Sequence, residues 1–406
     1  MHVGIYLSGI SPEAGGGYTF QADILQALLV QAGDSRHGFS ILCDTEALRR
    51  HVEGLGMPPN MRSISLGNPG IVDTAWRALT FAVPFVRRLW PRAGRMQRAI
   101  DLHGVDMIWF VAGGAHEIPD APYIATVWDL QHRTHPWLPE VSHSGVWESR
   151  EAAISAFLWR AAFVITGTET GKSELEMYYQ IPPQRVRLLP HPTPAFALKG
   201  IIPSANLTAR FGLKPAYLLY PAQFWPHKNH VNLLLALAIL KSHFGLTPNL
   251  VLVGSDKGNR KYVEQAAAQF GVLSQIVFTG FVTQDELIAL YKQAGALVYL
   301  SMSGPENLPP LEAFALECPV VASDIPGASE QLGDCARLVS AFSPESIATA
   351  LYEILTNSDA RKVLVTRGQS RARAWTSKHF VEGVLKIVDE FESVRRCWPP
   401  ASASRS

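Results

Sequence analysis

Short apolar runs alternate along the chain with longer segments in which apolar residues recur at helical spacing. In the first half, a helical pattern over residues 20–30 follows the first apolar run, and further helical stretches separate the later runs. Strands that alternate with helices indicate a mainly parallel sheet covered on both faces. The strands predicted for this half are residues 2–7, 39–43, 107–110, 123–127, 163–166 and 186–189.

The second half repeats the alternation more regularly and predicts a doubly wound α/β domain, in which ligands bind at the carboxyl ends of the strands. The segment 191–207 is rich in proline and has the composition of a linker. The predicted strands are residues 217–221, 250–253, 276–279, 297–300 and 320–322, and the predicted helices are residues 231–244, 262–270, 285–293, 310–316 and about 378–394.

The length and composition favour two domains with substantial cores. The chain has 406 residues, of which 47% are hydrophobic and 17% charged, so it is not a largely disordered protein. The predicted division is an N-terminal domain over 1–200, a C-terminal domain over 201–376, and a last helix over 377–406 that packs back on the N-terminal domain before a disordered tail. The formal net charge is +1, so no global field attracts nucleic acid.

Cysteine usage and the first residues indicate a cytoplasmic protein. The four cysteines are scattered without metal-ligand spacing, and three of them (Cys43, Cys318 and Cys335) lie in or beside apolar runs, where a buried thiol is expected. The opening MHVGIYLSG is interpreted as a first strand rather than a signal peptide. No apolar stretch is long enough to span a bilayer.

The stretch GPENLPPLEAFALECPVVASDIPG, residues 304–327, follows a strand and begins a helix. Pro309 and Pro310 suit a first helical turn, where an N–H has no partner within the helix. The amides of Asn307, Leu308 and Leu311 are then expected to point out of the helix end, where they can hold phosphate oxygens. The carboxylates of Glu306 and Glu312 can accept hydrogen bonds from sugar hydroxyls; alternatively Glu312 only complements the helix dipole and Glu306 is solvated.

A second stretch, LLYPAQFWPHKNHVNLL, places Lys228 between a strand end and a helix start. A lysine is a compact point charge suited to a diphosphate, and the positive end of a helix reinforces it. A surface lysine is the alternative, but its place at the carboxyl end of a strand favours a site residue.

Two polar segments stand at strand ends in the first half. In TVWDLQHRTHP a strand ends in a cluster that includes Asp129, His132 and Arg133, where cleft residues are expected; ordinary surface positions are the alternative for the histidines. In TGTETGKSEL, Thr168 can reach the cleft, but its position favours a helix cap.

The order of strand, acidic loop, LPPLEA, small-residue helix, PVVASD and Pro-Gly turn resembles the retaining glycosyltransferases of the large GT-B family four. The resemblance covers nearly the whole chain and is strongest over about 217–333. It implies two facing Rossmann-like α/β domains with a deep interdomain cleft. It assigns the leaving diphosphate to Lys228 and the ribose hydroxyls to Glu312. Gly304 stands where the family has its sugar-contacting glutamate, so that role passes to Glu306, and the family's upstream arginine is replaced in the region of Gln223.

The remaining donor-side residues are also implied by the resemblance. The loop that carries Gly16 and Gly17 faces the donor phosphates from the N-terminal domain, and glycines let a backbone come close to a ligand. The turn at Gly254 lies near the nucleotide, main-chain groups around Val282 contact the base, and Asn307 and Leu308 belong to the phosphate-binding helix start. Asp129 closes the site from the other domain, with His132, Arg133 and Thr168 on the acceptor side.

These residues predict a retaining hexosyltransferase that moves a sugar from a nucleoside-diphosphate donor to a hydroxyl acceptor in glycan, polysaccharide or glycolipid synthesis. GDP-mannose and UDP-sugars are the candidate donors. No cofactor is expected beyond the nucleotide-sugar co-substrate, and no Asp-x-Asp pattern predicts a metal. Two alternatives stay open: a sugar-nucleotide epimerase of the same architecture, and a non-catalytic scaffold, which the missing glutamate and arginine favour.

Residues 76–98 mix arginines with bulky apolar residues. Such a segment suits either the surface of an anionic membrane, at the inner face of the plasma membrane, or amphipathic packing against the first sheet. The acceptor is therefore expected to be either a carbohydrate or a lipid-linked glycan.

Overall fold

A computed structural model describes residues 1–9, 15–67, 94–114, 116–199, 207–213 and 216–399. They form two α/β domains with parallel sheets, as the sequence predicted. Among these residues no helix is both long and apolar enough to cross a membrane. Residues 76–93 of the predicted membrane-contacting segment lie outside the described residues, and so does the predicted tail from residue 400 onward.

The N-terminal sheet has seven parallel strands in the order β3-β2-β1-β4-β5-β6-β7. The order reverses between β1 and β4, whose carboxyl ends therefore border a crevice in which ligands of such folds bind. The strands are β1 His2–Leu7, β2 Gly38–Cys43, β3 Met61–Ser65, β4 Met107–Phe110, β5 Tyr123–Thr126, β6 Phe163–Thr166 and β7 Val186–Leu188. The helices around them are α1 Gly16–Gln31, α2 Glu46–Gly54, α3 Arg95–His103, α4 Gln131–Thr134, α5 Pro139–Ser142, α6 Val146–Arg160, α7 Glu169–Tyr179 and α8 Ala195–Leu198.

The C-terminal sheet has six parallel strands in the order β10-β9-β8-β11-β12-β13. Its switch point lies between β8 and β11. The strands are β8 Tyr217–Pro221, β9 Leu250–Val253, β10 Ile276–Gly280, β11 Ala294–Tyr299, β12 Val320–Ser323 and β13 Ala336–Val339. The helices are α9 Leu207–Phe211, α10 His230–Phe244, α11 Arg260–Gln269, α12 Gln284–Gln293, α13 Leu308–Ala315, α14 Ala328–Leu332, α15 Pro344–Thr356, α16 Ser358–Ala374 and α17 Ser377–Arg395.

The last helix, α17, packs on the N-terminal domain although it follows the C-terminal one. The ring of Phe380 lies 5.3 Å from that of Phe20 on α1, in an edge-to-face arrangement. At the far end of α17 the Arg395 guanidinium bonds the Asp106 carboxylate at 2.7 Å. The chain therefore crosses between the domains twice, once near residue 190 and once near residue 375.

The structure differs from the predicted elements in four places. Strands β3 and β13 were not predicted because both carry exposed or polar positions, which removes the apolar run that marked the central strands. Helix α1 begins at Gly16 rather than at residue 20, so Gly16 and Gly17 belong to its first turn. The predicted linker contains the short helix α8. The three cysteines predicted to be buried are buried, and all four are free thiols.

Candidate functional site

Lys228 lies at the switch point of the C-terminal sheet, in the turn between β8 and α10. Its Nζ donates hydrogen bonds to the hydroxyls of Tyr299 (2.8 Å) and Ser301 (3.4 Å), which stand at the end of β11. Its main-chain carbonyl accepts a hydrogen bond from the Tyr220 hydroxyl, which fixes the turn. No carboxylate among the described residues pairs with this half-buried ammonium group. The arrangement therefore presents a positive charge whose natural partner is an anionic ligand.

Two helix N-termini meet at the domain boundary. A Cβ at Gly16, in the first turn of α1, would lie 3.4 Å from Cδ1 of Leu308, the first residue of α13. Neither helix has a side-chain cap, so their first N–H groups are not satisfied in that way. The positive ends of the two helix dipoles thus point to one region, which favours phosphate binding.

The amide of Asn307 is not available to a ligand, contrary to the prediction. Its N–H donates to Oε1 of Gln331 at 2.9 Å, and the Gln331 amide donates back to the Asn307 carbonyl at 2.9 Å. Because Pro309 and Pro310 carry no N–H, the first turn of α13 offers mainly the N–H of Leu308 to a ligand.

Glu312 is buried one turn further along α13, with its residue 7% exposed. Its Oε2 accepts a 2.6 Å hydrogen bond from the Tyr291 hydroxyl. The pKa of Glu312 is raised to about 7, mainly by burial and to a lesser extent by the nearby carboxylate of Asp23, although the hydrogen bond from Tyr291 lowers it. Asp23 comes from α1 of the other domain, and burial raises its pKa to about 6. Glu312 therefore changes its charge near neutral pH, at a position shared by the two domains.

Glu306 does not face an open site in this structure. Its carboxylate, with a side chain only 2% exposed, accepts hydrogen bonds from the main-chain N–H of His191 (2.7 Å) and from Nδ1 of the same residue (2.8 Å). The predicted sugar contact by Glu306 is thus replaced here by a contact between the domains.

Asp129 lies at the boundary from the N-terminal side. Its Oδ1 accepts hydrogen bonds from Arg150 (2.7 Å) and from the N–H of Gln131 (2.9 Å). Burial raises the pKa of Asp129, but Arg150 and the Gln131 N–H outweigh it and leave the pKa below its ordinary value. Across the boundary, the ring of His227 bonds Glu140, and burial lowers the pKa of His227. Asp129 is therefore a carboxylate held in an ion pair with Arg150, and it is not free to act as a base.

A cavity of about 400 Å³ opens beside Asp129 at the carboxyl ends of β4 and β5. Its walls combine apolar side chains of α6 with the Trp128 ring, and its polar groups are the Asp129–Arg150 ion pair. A pocket with apolar walls and a few polar groups is typical of small-molecule sites. The residues that line it include Gly113, Gly114, Val127, Trp128, Ile154 and Leu158.

Three residues predicted on the acceptor side have structural partners instead. His132 is fully buried, and its Nε2 lies within hydrogen-bond distance of the Tyr179 hydroxyl (2.9 Å) and of Glu151 (3.1 Å). Arg133 binds the same Glu151 carboxylate, so both belong to a network inside the N-terminal domain. Thr168 caps α7, where its hydroxyl accepts from the N–H of Gly171 at 3.0 Å. The cap that the sequence favoured for Thr168 is thus confirmed, whereas nothing in the sequence distinguished His132 and Arg133, which bind Glu151, from Asp129.

Gly254 and Val282 lie in the turns after β9 and β10. Gly254 has a φ of +150°, and a Cβ there would lie 2.5 Å from the Ala222 carbonyl oxygen, so the glycine allows the β8 and β9 turns to touch. Its N–H donates to the Gly280 carbonyl at 3.0 Å. The Val282 side chain is 7% exposed and belongs to the core, so any ligand contact there is made by the main chain.

Within the described residues, one group has carboxylate and histidine atoms close enough together for a metal ion: His37, Asp389 and Glu392. It lies beside the start of β2 in the N-terminal domain. Nε2 of His37 there donates to the Asp389 carboxylate at 3.1 Å and contributes to the packing of α17.

Comparisons with known proteins support a transferase. Residues 208–371 match the family of glycosyl transferases group 1. An uncharacterized glycosyltransferase of Methanocaldococcus jannaschii is 25% identical over 308 residues, which are 68% of this chain and 74% of that protein. The O-antigen chain mannosyltransferase RfbU of Salmonella typhimurium is 30% identical over 147 residues, which are 36% of this chain and 40% of that protein.

Solved structures share the two-domain fold. HepE of Anabaena, solved in complex with UDP and glucose, superposes with a TM-score of 0.67 at 15% identity, over 96% of this chain and 100% of that chain. Other glycosyltransferases align over nearly the whole chain in the same way. The protein therefore has the GT-B fold, and its residues 208–371 match the family of glycosyl transferases group 1.

Proposed function

We propose that the protein transfers a sugar from a nucleoside-diphosphate donor to a hydroxyl acceptor, with retention of configuration. The observation that carries this proposal is the meeting of the N-termini of α1 and α13 at the domain boundary, with Lys228 bonded to Ser301 at the start of the loop that leads into α13. A departing diphosphate develops negative charge, and a cation with two helix dipoles, held in place before the reaction, stabilises that charge. In this proposal Lys228 and the N–H of Leu308 bind the diphosphate, and Glu312 binds the ribose.

Retention is compatible with the state of Asp129, the carboxylate predicted to lie in the cleft. Inversion needs a base that removes the proton of the acceptor hydroxyl, and a base works best when its pKa is near the working pH. The carboxylate of Asp129 is paired with Arg150, and its pKa is lowered, so it is a weak base. A reaction in which the acceptor proton passes to the leaving diphosphate on the same face of the sugar needs no such base.

The acceptor is proposed to enter from the cavity beside Asp129. Apolar walls with one ion pair suit the face of a sugar ring or an apolar aglycone more than a highly charged acceptor. Mannosyltransferases among the relatives favour a mannose donor, and the UDP complex of a structural neighbour favours a uridine nucleotide. A lipid-linked acceptor reached at the cytoplasmic membrane surface is part of the same proposal.

The test is a transfer assay with GDP-mannose, UDP-glucose and UDP-N-acetylglucosamine, in which release of the nucleoside diphosphate is measured with and without acceptor glycans. A transferase releases nucleotide faster with its acceptor, whereas an epimerase converts the sugar without needing one. NMR of the product's anomeric proton decides between retention and inversion. A scaffold gives neither reaction.

Lys228→Ala is expected to lower kcat by about a hundredfold or more, because one positioned electrostatic group typically contributes that much. Lys241→Ala, at an exposed lysine near the end of α10, is the matched control and is expected to keep full activity. Equal activity of the two variants would remove Lys228 from the mechanism.

A further inference from the structure

Glu306 extends from the C-terminal domain into a fitted site on the N-terminal one. Both carboxylate oxygens are bound by a single residue, His191, at 2.7 Å through its main-chain N–H and at 2.8 Å through Nδ1. Because a carboxylate can only accept hydrogen bonds, Nδ1 carries the proton in this pair. A side chain that is 2% exposed and fully hydrogen-bonded is held in one position.

Gly167, at the end of β6, provides the space for this carboxylate. A Cβ on Gly167 would lie 1.4 Å from Oε2 and 2.1 Å from Cδ of Glu306, and its three nearest atoms all belong to Glu306. Gly167 does not have a positive φ, so its backbone conformation does not require glycine. The missing side chain at this position is explained by the close approach of Glu306.

His191 is itself fixed by its surroundings. Its ring lies 5.1 Å from that of Phe20 and 6.0 Å from that of Trp128. The preceding carbonyl, of Pro190, accepts a 2.8 Å hydrogen bond from the Trp375 indole, where the chain crosses between the domains for the second time. We call Gly167 and His191 together the Glu306 socket.

The loop that carries Glu306 also carries the phosphate-binding elements. At its start, the Ser301 hydroxyl lies 3.4 Å from Nζ of Lys228 and donates to the Ser303 carbonyl at 2.7 Å. At its end, Asn307 is the N-cap of α13. A displacement of Glu306 therefore moves a loop of which one end contacts Lys228 and the other begins α13.

We propose that Glu306 is a positioning residue: its insertion into the socket of the opposite domain sets the 301–307 loop, so that the phosphate site is complete only when the domains are closed. This inference rests on the proposed function and deepens it. It explains how a glutamate two residues past its expected position can serve a transferase without contacting the sugar.

The test is a double-mutant cycle between positions 167 and 306. Gly167→Ala, Glu306→Ala and the double variant are compared for kcat with the best donor and for the dissociation constants of UDP and GDP. Coupled residues give effects that do not add.

Gly167→Ala is expected to lower kcat by about tenfold or more, because the new Cβ displaces Glu306 and the loop, and small misplacements at a reacting centre are costly. The dissociation constants of UDP and GDP should rise as well, because the displaced loop contacts Lys228 at one end and begins α13 at the other, and both are proposed to bind the diphosphate. In the Glu306→Ala background, adding Gly167→Ala should cause no further loss, because the atoms it would strike are gone.

Two further variants separate positioning from general loss of domain contacts. His191→Asn places an amide N–H near the position of Nδ1 and should retain most of the activity that His191→Ala loses. Glu330→Gln weakens another contact across the same boundary, where Glu330 accepts from the N–H groups of Glu169 (2.6 Å) and Thr170 (3.0 Å). Glu330 lies outside the 301–307 loop, so Glu330→Gln should reduce kcat by no more than about twofold.

Additive effects at 167 and 306, an unchanged kcat in Gly167→Ala, or an equal loss in Glu330→Gln would each overturn the proposal. If the wild-type protein transfers no sugar from any donor, the proposed function fails instead. The same cycle measured by urea unfolding then decides the socket by itself: non-additive midpoints support it, and additive midpoints overturn it.

Discussion

Replacing Glu312 by glutamine should stabilise the protein at alkaline pH while it weakens nucleotide binding. Burial raises the pKa of Glu312 from 4.5 to about 7. The folded protein therefore holds a proton that the unfolded chain has lost between these two values, and the free energy of unfolding falls as the pH rises through this window. Above pH 7 the full cost is about 3 kcal/mol, since one unit of pKa corresponds to about 1.4 kcal/mol. Glutamine cannot ionise and avoids this cost.

The comparison is sharpest as a difference between two pH values. The glutamine amide has its own cost of about 1–3 kcal/mol if its N–H groups stay unpaired, but that cost does not depend on pH. The stability of Glu312→Gln relative to wild type should therefore improve by about 2–3 kcal/mol between pH 5 and pH 8. For a domain of this size the corresponding gain in melting temperature is roughly 5–10 °C.

The measurement is urea or thermal unfolding of both proteins at pH 5 and pH 8. Glu317→Gln, at an exposed position five residues further along the chain, is the matched control and should show no such pH-dependent gain. If the relative stability of Glu312→Gln is the same at both pH values, Glu312 ionises as an ordinary carboxyl group and the reasoning fails. Calorimetry on the same variant should show nucleoside diphosphate binding weakened about tenfold or more, because hydrogen bonds to a charged group are lost.

Three further outcomes follow from individual contacts. Tyr291→Phe removes the hydrogen bond that lowers the pKa of Glu312. The pH midpoint of nucleotide binding, measured by calorimetry between pH 6 and 8.5, should therefore move upward. An unchanged midpoint would show that this hydrogen bond does not affect the ionisation of Glu312. Gly254→Ala should lower the melting temperature more than Gly258→Ala, because both have positive φ but only the Cβ at 254 meets a backbone oxygen at 2.5 Å, and equal effects would contradict this. If residues 76–93 contact an anionic membrane, changing three of their arginines to glutamine should reduce co-sedimentation with phosphatidylserine vesicles at low salt. Each arginine should contribute about 1 kcal/mol to the binding free energy. Wild-type protein that does not sediment with these vesicles would refute the contact. Those arginines are Arg87, Arg88 and Arg92; Arg95 is left unchanged because it pairs with Asp44.

The elements proposed to bind phosphate could be located from the sequence because they follow from local order along the chain. A lysine just after an apolar run, and a proline pair at the start of a helix, each define their place within a few residues. Parallel sheets bring the carboxyl ends of their strands to one edge, so local order also places Lys228 and the loop that leads into Leu308 at the same edge of the C-terminal sheet. The burial of Glu312, and with it the shifted pKa, was not visible, because it depends on Asp23 and on Tyr291 from other elements.

The N-terminal half was predicted less well because its polar residues have partners far away in sequence. His132 and Arg133 follow a strand just as Asp129 does, yet they turn toward Glu151 inside the domain. His191 received no role in a segment interpreted as a linker, although it binds Glu306 across 115 positions of sequence.

The sequence by itself determined two parallel α/β domains and the identity of the charged groups at their strand ends, because hydrophobic periodicity and strand-end chemistry are local. Only the tertiary structure decided which groups stay available to a ligand. Each hydrogen-bonding group at the boundary has a limited number of partners, and whether the protein itself uses them depends on how the two domains meet. Glu306 is the clearest case. Its position along the chain suggested a sugar contact, but its carboxylate occupies the space beside Gly167 on the other domain and accepts hydrogen bonds from His191.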